Sequence, residues 1–189
     1  MRRLAVVAAT CLFTSLTACS TAPERLAGEN WVGPSETPPS REFTPPKAIR
    51  KSIAGWAMLQ CRVGAMQTLL SCTVLREEPT GLGFGDAALK TTSGLKISQK
   101  DGAPFSPDAG ALIDQPIFFC PPEKPTCRAE LKAVALAFSN DLAAVRRMVR
   151  AGNCAGALRL AGEMNAPNIA AAVTSACRAA PRPTGVGQD

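Results

Sequence analysis

GWAMLQCRV (55–63) and TLLSCTVLR (68–76), separated by GAMQ (64–67), are two strand-length runs that read together as a β-hairpin. With the turn centred between Met66 and Gln67, Leu59 faces Val74, Cys61 faces Cys72 and Val63 faces Leu70, all on one side. Gln60, Arg62, Ser71 and Thr73 fall on the other side, because successive strand residues point to opposite faces. The register that gathers the apolar residues therefore also sets two cysteines opposite one another, within disulfide reach. Two independent requirements agree on a Cys61–Cys72 bond.

Outward from the hairpin, REEPTGLGFGDAALK (76–90) reads as a turn running into a short helix. Its Gly81, Gly83 and Gly85 raise the question of a phosphate loop. A dinucleotide fingerprint needs a glycine where Asp86 stands, and a P-loop needs Gly-Lys-Ser/Thr, which is absent. The loop reads instead as the lead-in to a helix, with Asp86 in the first turn and Phe84 packed inward. Glu77 and Glu78 read as solvated charges at a strand end, since neighbours on an extended chain point apart.

A loop then leads to a third strand, ALIDQPIFF (111–119). Pro116 has no amide hydrogen, which places this strand at a sheet edge or turns its proline to an unpaired side. The expectation for this part is a small three-stranded antiparallel sheet with helical segments on one face.

After Cys120 the composition shifts to Ala, Leu, Val and Arg. Thr126 is placed to cap a helix from about Cys127, with Glu130 in its first turn. Leu131, Ala135, Phe138, Leu142, Val145 and Val149 form an apolar stripe that ends near Gly152, with Ser139-Asn140-Asp141 as a candidate kink. Two shorter helices follow, separated by Asn165-Ala166-Pro167, with Pro167 at an allowed first helical position. Cys154 and Cys177 are nearly symmetric about that turn and so suit a disulfide across the open end of a helical hairpin. Cys120 and Cys127 remain to close the CPPEKPTC loop (120–127). The fold class is thus α+β, followed by an all-α helical hairpin.

The N-terminus places this architecture. Arg2 and Arg3 precede LAVVAATCLFTSL (4–16), an apolar run of export-signal type and too short for a permanent membrane span. Leu16-Thr17-Ala18-Cys19 resembles the lipobox of bacterial lipoproteins, and the resemblance implies that Cys19 becomes the lipidated first residue. Cys11 lies inside the apolar run with no leucine at the lipobox position. The resemblance also implies a periplasm-facing envelope location, with Ser20 compatible with sorting to the outer membrane. Residues 20–47, rich in Pro, Ser, Thr and Glu, read as an extended tether whose one apolar spot is Trp31-Val32. The expected divisions are a signal at 1–18, a tether at 19–47, the α+β part at 48–119, the helical part at 120–181 and a loose polar tail at 182–189.

The chain contains no His and no Tyr, which removes the commonest general base and metal ligand. Losing Arg2 and Arg3 leaves 19 basic against 15 acidic residues, a mild and scattered excess that gives nucleic acid no footprint. Of the eight cysteines, six lie outside the signal and lipobox, an even number that points to disulfides in an exported chain. No Cys-x-x-Cys spacing occurs, so neither redox nor zinc chemistry is indicated, and no cofactor or metal is expected. Arg146, Arg147 and Arg150 are the one local basic cluster, explained by a helix C-terminus.

Residues 45–119 resemble the C-terminal domain of TonB-type proteins. The resemblance rests on Gly55 ahead of the first strand, the hairpin, the helix of EEPTGLGFGDAALK (77–90), then GLKI (94–97) and the closing QPIFF (115–119). Cys61 and Cys72 also suit the cysteine-paired members of that superfamily. What the resemblance implies is a sheet edge that accepts an extended strand from another protein. Here that edge is Leu112, Ile113, Asp114 and Gln115, and the partner is an envelope protein, either an outer-membrane receptor or another strand donor. TonB itself carries a transmembrane helix and a long Pro-rich spacer, whereas this chain has a lipobox and a short linker. The expectation is therefore a non-catalytic binding or scaffolding module. An energy transducer or accessory of TonB-dependent transport is the alternative, and a periplasmic hydrolase is a second one that lacks any constellation to activate water.

Overall fold

The computed structural model describes residues 41–65, 68–92, 95 and 109–179. The signal segment, Cys19, Trp31-Val32, the hairpin-turn residues Met66 and Gln67, most of GLKI and the tail at 182–189 lie outside the described residues. The description begins with a 3₁₀ turn, Arg41–Phe43, and a short helix α1, Pro46–Arg50. Residues 41–47, expected to be part of an extended tether, are thus already folded. Pro46 is pre-set for the first helical turn, and Ala48 is buried in the core.

Strand β1 (Gly55–Val63) pairs antiparallel with β2 (Leu69–Glu78) on one side and with β3 (Leu112–Phe119) on the other, giving the order β2-β1-β3. The chain is therefore α+β with the expected three-stranded antiparallel sheet. Helices cover both faces of that sheet, however, rather than one. Ala57, Leu59, Cys61, Val63, Ile117 and Phe119 pack under α2 (Phe84–Thr92). The alternate residues Trp56, Met58 and Phe118 pack against α3 (Cys127–Arg150), α4 (Cys154–Glu163) and α5 (Pro167–Ala179). This explains why β1 carries Trp56 and Met58 among its supposedly polar-facing positions: a central strand covered twice reads as a nearly continuous apolar run.

The hairpin keeps the expected pairs Leu59 with Val74 and Gln60 with Thr73. The Cys61–Cys72 disulfide forms at a Cα separation of 4.0 Å. Toward the turn the register slips: Val63 pairs with Leu69, not Leu70, because β2 has one additional residue between Gln60's and Arg62's partners. Ser71 takes the left-handed conformation at φ 47° there. Leu69 is consequently buried while Leu70 stands 49 % exposed. A second irregularity lies between Met58 and Leu59. It leaves Leu75 and Arg76 both on the α3–α5 side, where the Arg76 guanidinium stacks 5.4 Å from the Phe138 ring centroid and donates to the Met164 carbonyl.

Helix α3 runs uninterrupted through Ser139-Asn140-Asp141, the candidate kink, and Ser139 is buried there. Thr126 precedes the helix but makes no side-chain cap; its carbonyl accepts from Ala129 and Glu130. The Cys120–Cys127 disulfide, with Cα atoms 5.8 Å apart, joins the end of β3 to that first turn. Asn153, not singled out in the sequence, caps α4 by accepting from Gly156 N at 3.0 Å. Cys154–Cys177 bridges α4 to α5 at a Cα separation of 5.9 Å, and Pro167 opens α5 as expected.

Candidate functional site

The glycine loop and the edge of β3 are the two features to which the sequence pointed. At the loop, Gly81 N donates to Glu77 Oε1 at 2.7 Å and Gly85 N donates to Glu77 Oε2 at 2.6 Å. Gly83 lies at φ 87°, in the left-handed region that a side chain would strain. The loop thus does hold an anion at a helix N-terminus, but the anion is the chain's own carboxylate. A Cβ on Gly85 would stand 3.0 Å from Val74 Cγ1 and 3.2 Å from Glu77 Oε2, so the strand and carboxylate fill the space a phosphate would need. Glu77 is therefore not the solvated strand-end charge expected from extended-chain geometry. Glu78, its side chain about half exposed, meets Arg76 Nη2 at 2.7 Å.

Glu77→Gln should retain the shape while weakening two charge-assisted bonds at a helix start. The expected cost is about 1–2 kcal/mol, read as a lower urea midpoint. An unchanged midpoint would show that the loop is held by its backbone alone.

At the sheet edge, Val63 N donates to Ala111 O at 2.8 Å. Bonding alternates along an antiparallel pair, so Ile113 and Gln115 turn their main chain toward β1 while Leu112, Asp114 and Pro116 turn theirs outward. Pro116 accordingly sits where no ladder bond is lost. The four candidate residues have different fates. Leu112 is 57 % exposed, Ile113 packs against the core under α2, and Gln115 is buried with its amide donating to Pro116 O at 3.1 Å. Asp114 accepts from Arg146 through two parallel bonds, Nη1 to Oδ2 at 2.5 Å and Nη2 to Oδ1 at 2.8 Å, with its side chain only 7 % exposed. The geometry is the planar two-bond pairing for which a guanidinium is suited.

Arg146 is thus more than a helix-end charge: it ties α3 to the edge strand. No spacing rule links residues 32 positions apart, so the pair is invisible to sequence reading, although an aspartate inside an apolar strand was a hint that it needed a partner.

All six cysteines outside the N-terminal segment are in disulfides. Among the described residues no group of three or more His, Cys, Asp or Glu gathers as a metal site, and no helix is long and apolar enough to cross a membrane. No protein-family model, curated protein or solved structure matches the chain.

Proposed function

We propose that this chain is a non-catalytic, lipid-anchored protein of the bacterial cell envelope, with a fold like the TonB C-terminal domain followed by a helical hairpin, that binds an extended strand of another envelope protein along the outer edge of β3. Cys19 carries the lipid in this reading, and the lack of any histidine or tyrosine argues against hydrolysis. The observation that carries the binding mode is the position of β3 at the end of the strand order, with the main chain of Leu112 and Asp114 turned outward. The opposite edge, β2, is interrupted by two register shifts, and such bulges blunt an edge against pairing. The Arg146–Asp114 pair holds β3 in place, which lowers the ordering cost of adding a strand to it. Pro116 limits the ladder to the Leu112 end.

The probe for this edge belongs at Leu112, since the Asp114 side chain is turned into α3. A photo-crosslinking residue at position 112 should trap an envelope protein in intact cells, whereas one at Leu158, a 38 % exposed position on α4, should not. Capture from position 158 with none from position 112 would overturn the edge as the binding surface. A TonB-dependent receptor as the captured protein would favour the transducer alternative.

A further inference from the structure

At the end of the sheet where β1 begins and β3 stops, α1 meets the CPPEKPTC loop (120–127). Lys47, Arg50 and Lys51 follow the i, i+3, i+4 spacing that places side chains on one helix face, and all three are exposed. Ala48, on the other side of that turn, is buried in the core. Lys124 joins them from 72 positions away, its Nζ donating to Ser52 O at 3.2 Å. Residues 41–53 and 120–127 together hold Arg41, Lys47, Arg50, Lys51 and Lys124 against Glu42 and Glu123, so basic residues outnumber acidic ones five to two. The fold thus gathers part of the chain's positive excess in one place.

The platform is set without any occupant. Ser52 takes the left-handed conformation at φ 47°, so that Ile53 N donates to Ala48 O at 3.0 Å and Ser52 N to Ile49 O at 3.2 Å, the paired bonds that lock a helix end. The loop is closed by the Cys120–Cys127 bond and by Cys127 N donating to Lys124 O at 3.2 Å. Cations carried on a fixed backbone lose less freedom on meeting an anion than cations on a loose tail.

The arrangement opposes itself. Like charges three and four positions apart destabilise a helix, and no acidic residue stands at those spacings from Lys47, Arg50 or Lys51. An anionic partner from outside would relieve that repulsion, and the chain indicates where one is met. From Arg41, the first described residue, only residues 19–40 lead back to Cys19, a stretch that spans at most about 75 Å fully extended. A bilayer that holds Cys19 therefore keeps its head groups at high effective concentration around this face.

We propose that Lys47, Arg50, Lys51 and Lys124 form a contact surface for anionic lipid head groups, which seats the folded part of the chain on the bilayer. The inference rests on the proposed lipid anchor for where the surface is met, and it leaves the strand-binding reading of the β3 edge untouched.

The full chain reconstituted into vesicles of phosphatidylcholine, or of an equimolar mixture with phosphatidylglycerol, tests it through a photo-crosslinking residue in place of Pro122, an exposed loop position near Lys124. Lipid adducts are counted per chain that sediments with the vesicles. The mixed vesicles should give at least about tenfold more adduct than the neutral ones, and the excess should fall as salt is raised. Lys47→Glu, Arg50→Glu and Lys51→Glu together should abolish the excess. Arg147→Glu, Arg159→Glu and Arg178→Glu, an equal change of net charge at exposed positions of α3, α4 and α5, should preserve it. Glutamine at 47, 50 and 51 serves the same purpose if the reversed variant does not fold. Equal adduct in the two vesicles, or equal loss in the two triple variants, would overturn the proposal. So would adducts to protein and none to lipid in intact cells, which would assign the face to an acidic protein. Failure of the anchor reads differently, as chains that do not sediment with neutral vesicles.

Discussion

Replacing Trp56 by alanine is expected to lower the unfolding free energy by about 3–5 kcal/mol, the range for deleting a buried aromatic side chain. Trp56 is 1 % exposed and meets the Phe138 ring edge-on at 5.7 Å, so it joins the central strand to α3. Around it, Met58 and Phe118 from the sheet share one buried cluster with Leu142 and Val145 of α3, Ala157 and Ala161 of α4, and Ile169 and Val173 of α5. The loss is a large part of the total, since domains of this kind are stable by only about 5–15 kcal/mol. Because strand and helices contribute to the same cluster, far-UV circular dichroism should show one transition in urea for the parent chain, shifted to lower urea in the variant. Two separate transitions in the parent, or a loss under about 1 kcal/mol in the variant, would mean that the helices stand without the sheet.

That shared cluster is also where sequence reading and structure part. The hairpin was legible because alternation and cysteine position imposed the same register, and Leu59, Val74, Cys61 and Cys72 sit as that register requires. The slip at Ser71 was not legible: a bulge adds one residue without changing the local composition, and it exchanged Leu69 for Leu70 on the buried side. The stripe on α3 was visible as a helix with an apolar face, but a stripe does not say what it covers. Its target was written in Trp56 and Met58, whose alternation with Ala57 and Leu59 made β1 apolar on both faces. Two disulfides followed from local geometry, one across the β-hairpin and one across the helical hairpin, at separations of 11 and 23 residues, and the third, at a separation of 7, from the two cysteines that remained. Asp114 with Arg146 depends on how distant elements dock, and no periodicity encodes that.

Gly55→Ala should be about as damaging as the tryptophan deletion, for the opposite reason. A Cβ at position 55 would come within 2.2 Å of Phe84 Cε2 and 2.4 Å of Phe84 Cζ, far inside the roughly 3.5–4.0 Å of a favourable carbon contact. The ring has nowhere to go: Phe84 is wholly buried, and its centroid lies 5.4 Å from that of Phe119, the residue paired with Gly55 across the sheet. Overpacking of a closed core costs about 1–3 kcal/mol and occasionally more, and a clash with an immobile ring belongs at the upper end. The two positions should therefore be coupled. Phe84→Leu alone opens a void and destabilises, but in the Gly55→Ala background it removes the clash, so the double variant should be more stable than the sum of the two losses by about 1 kcal/mol or more. Strict additivity in urea titrations would show that β1 and α2 yield to the methyl group. The glycine would then be dispensable where the sequence marked it as the start of the central strand.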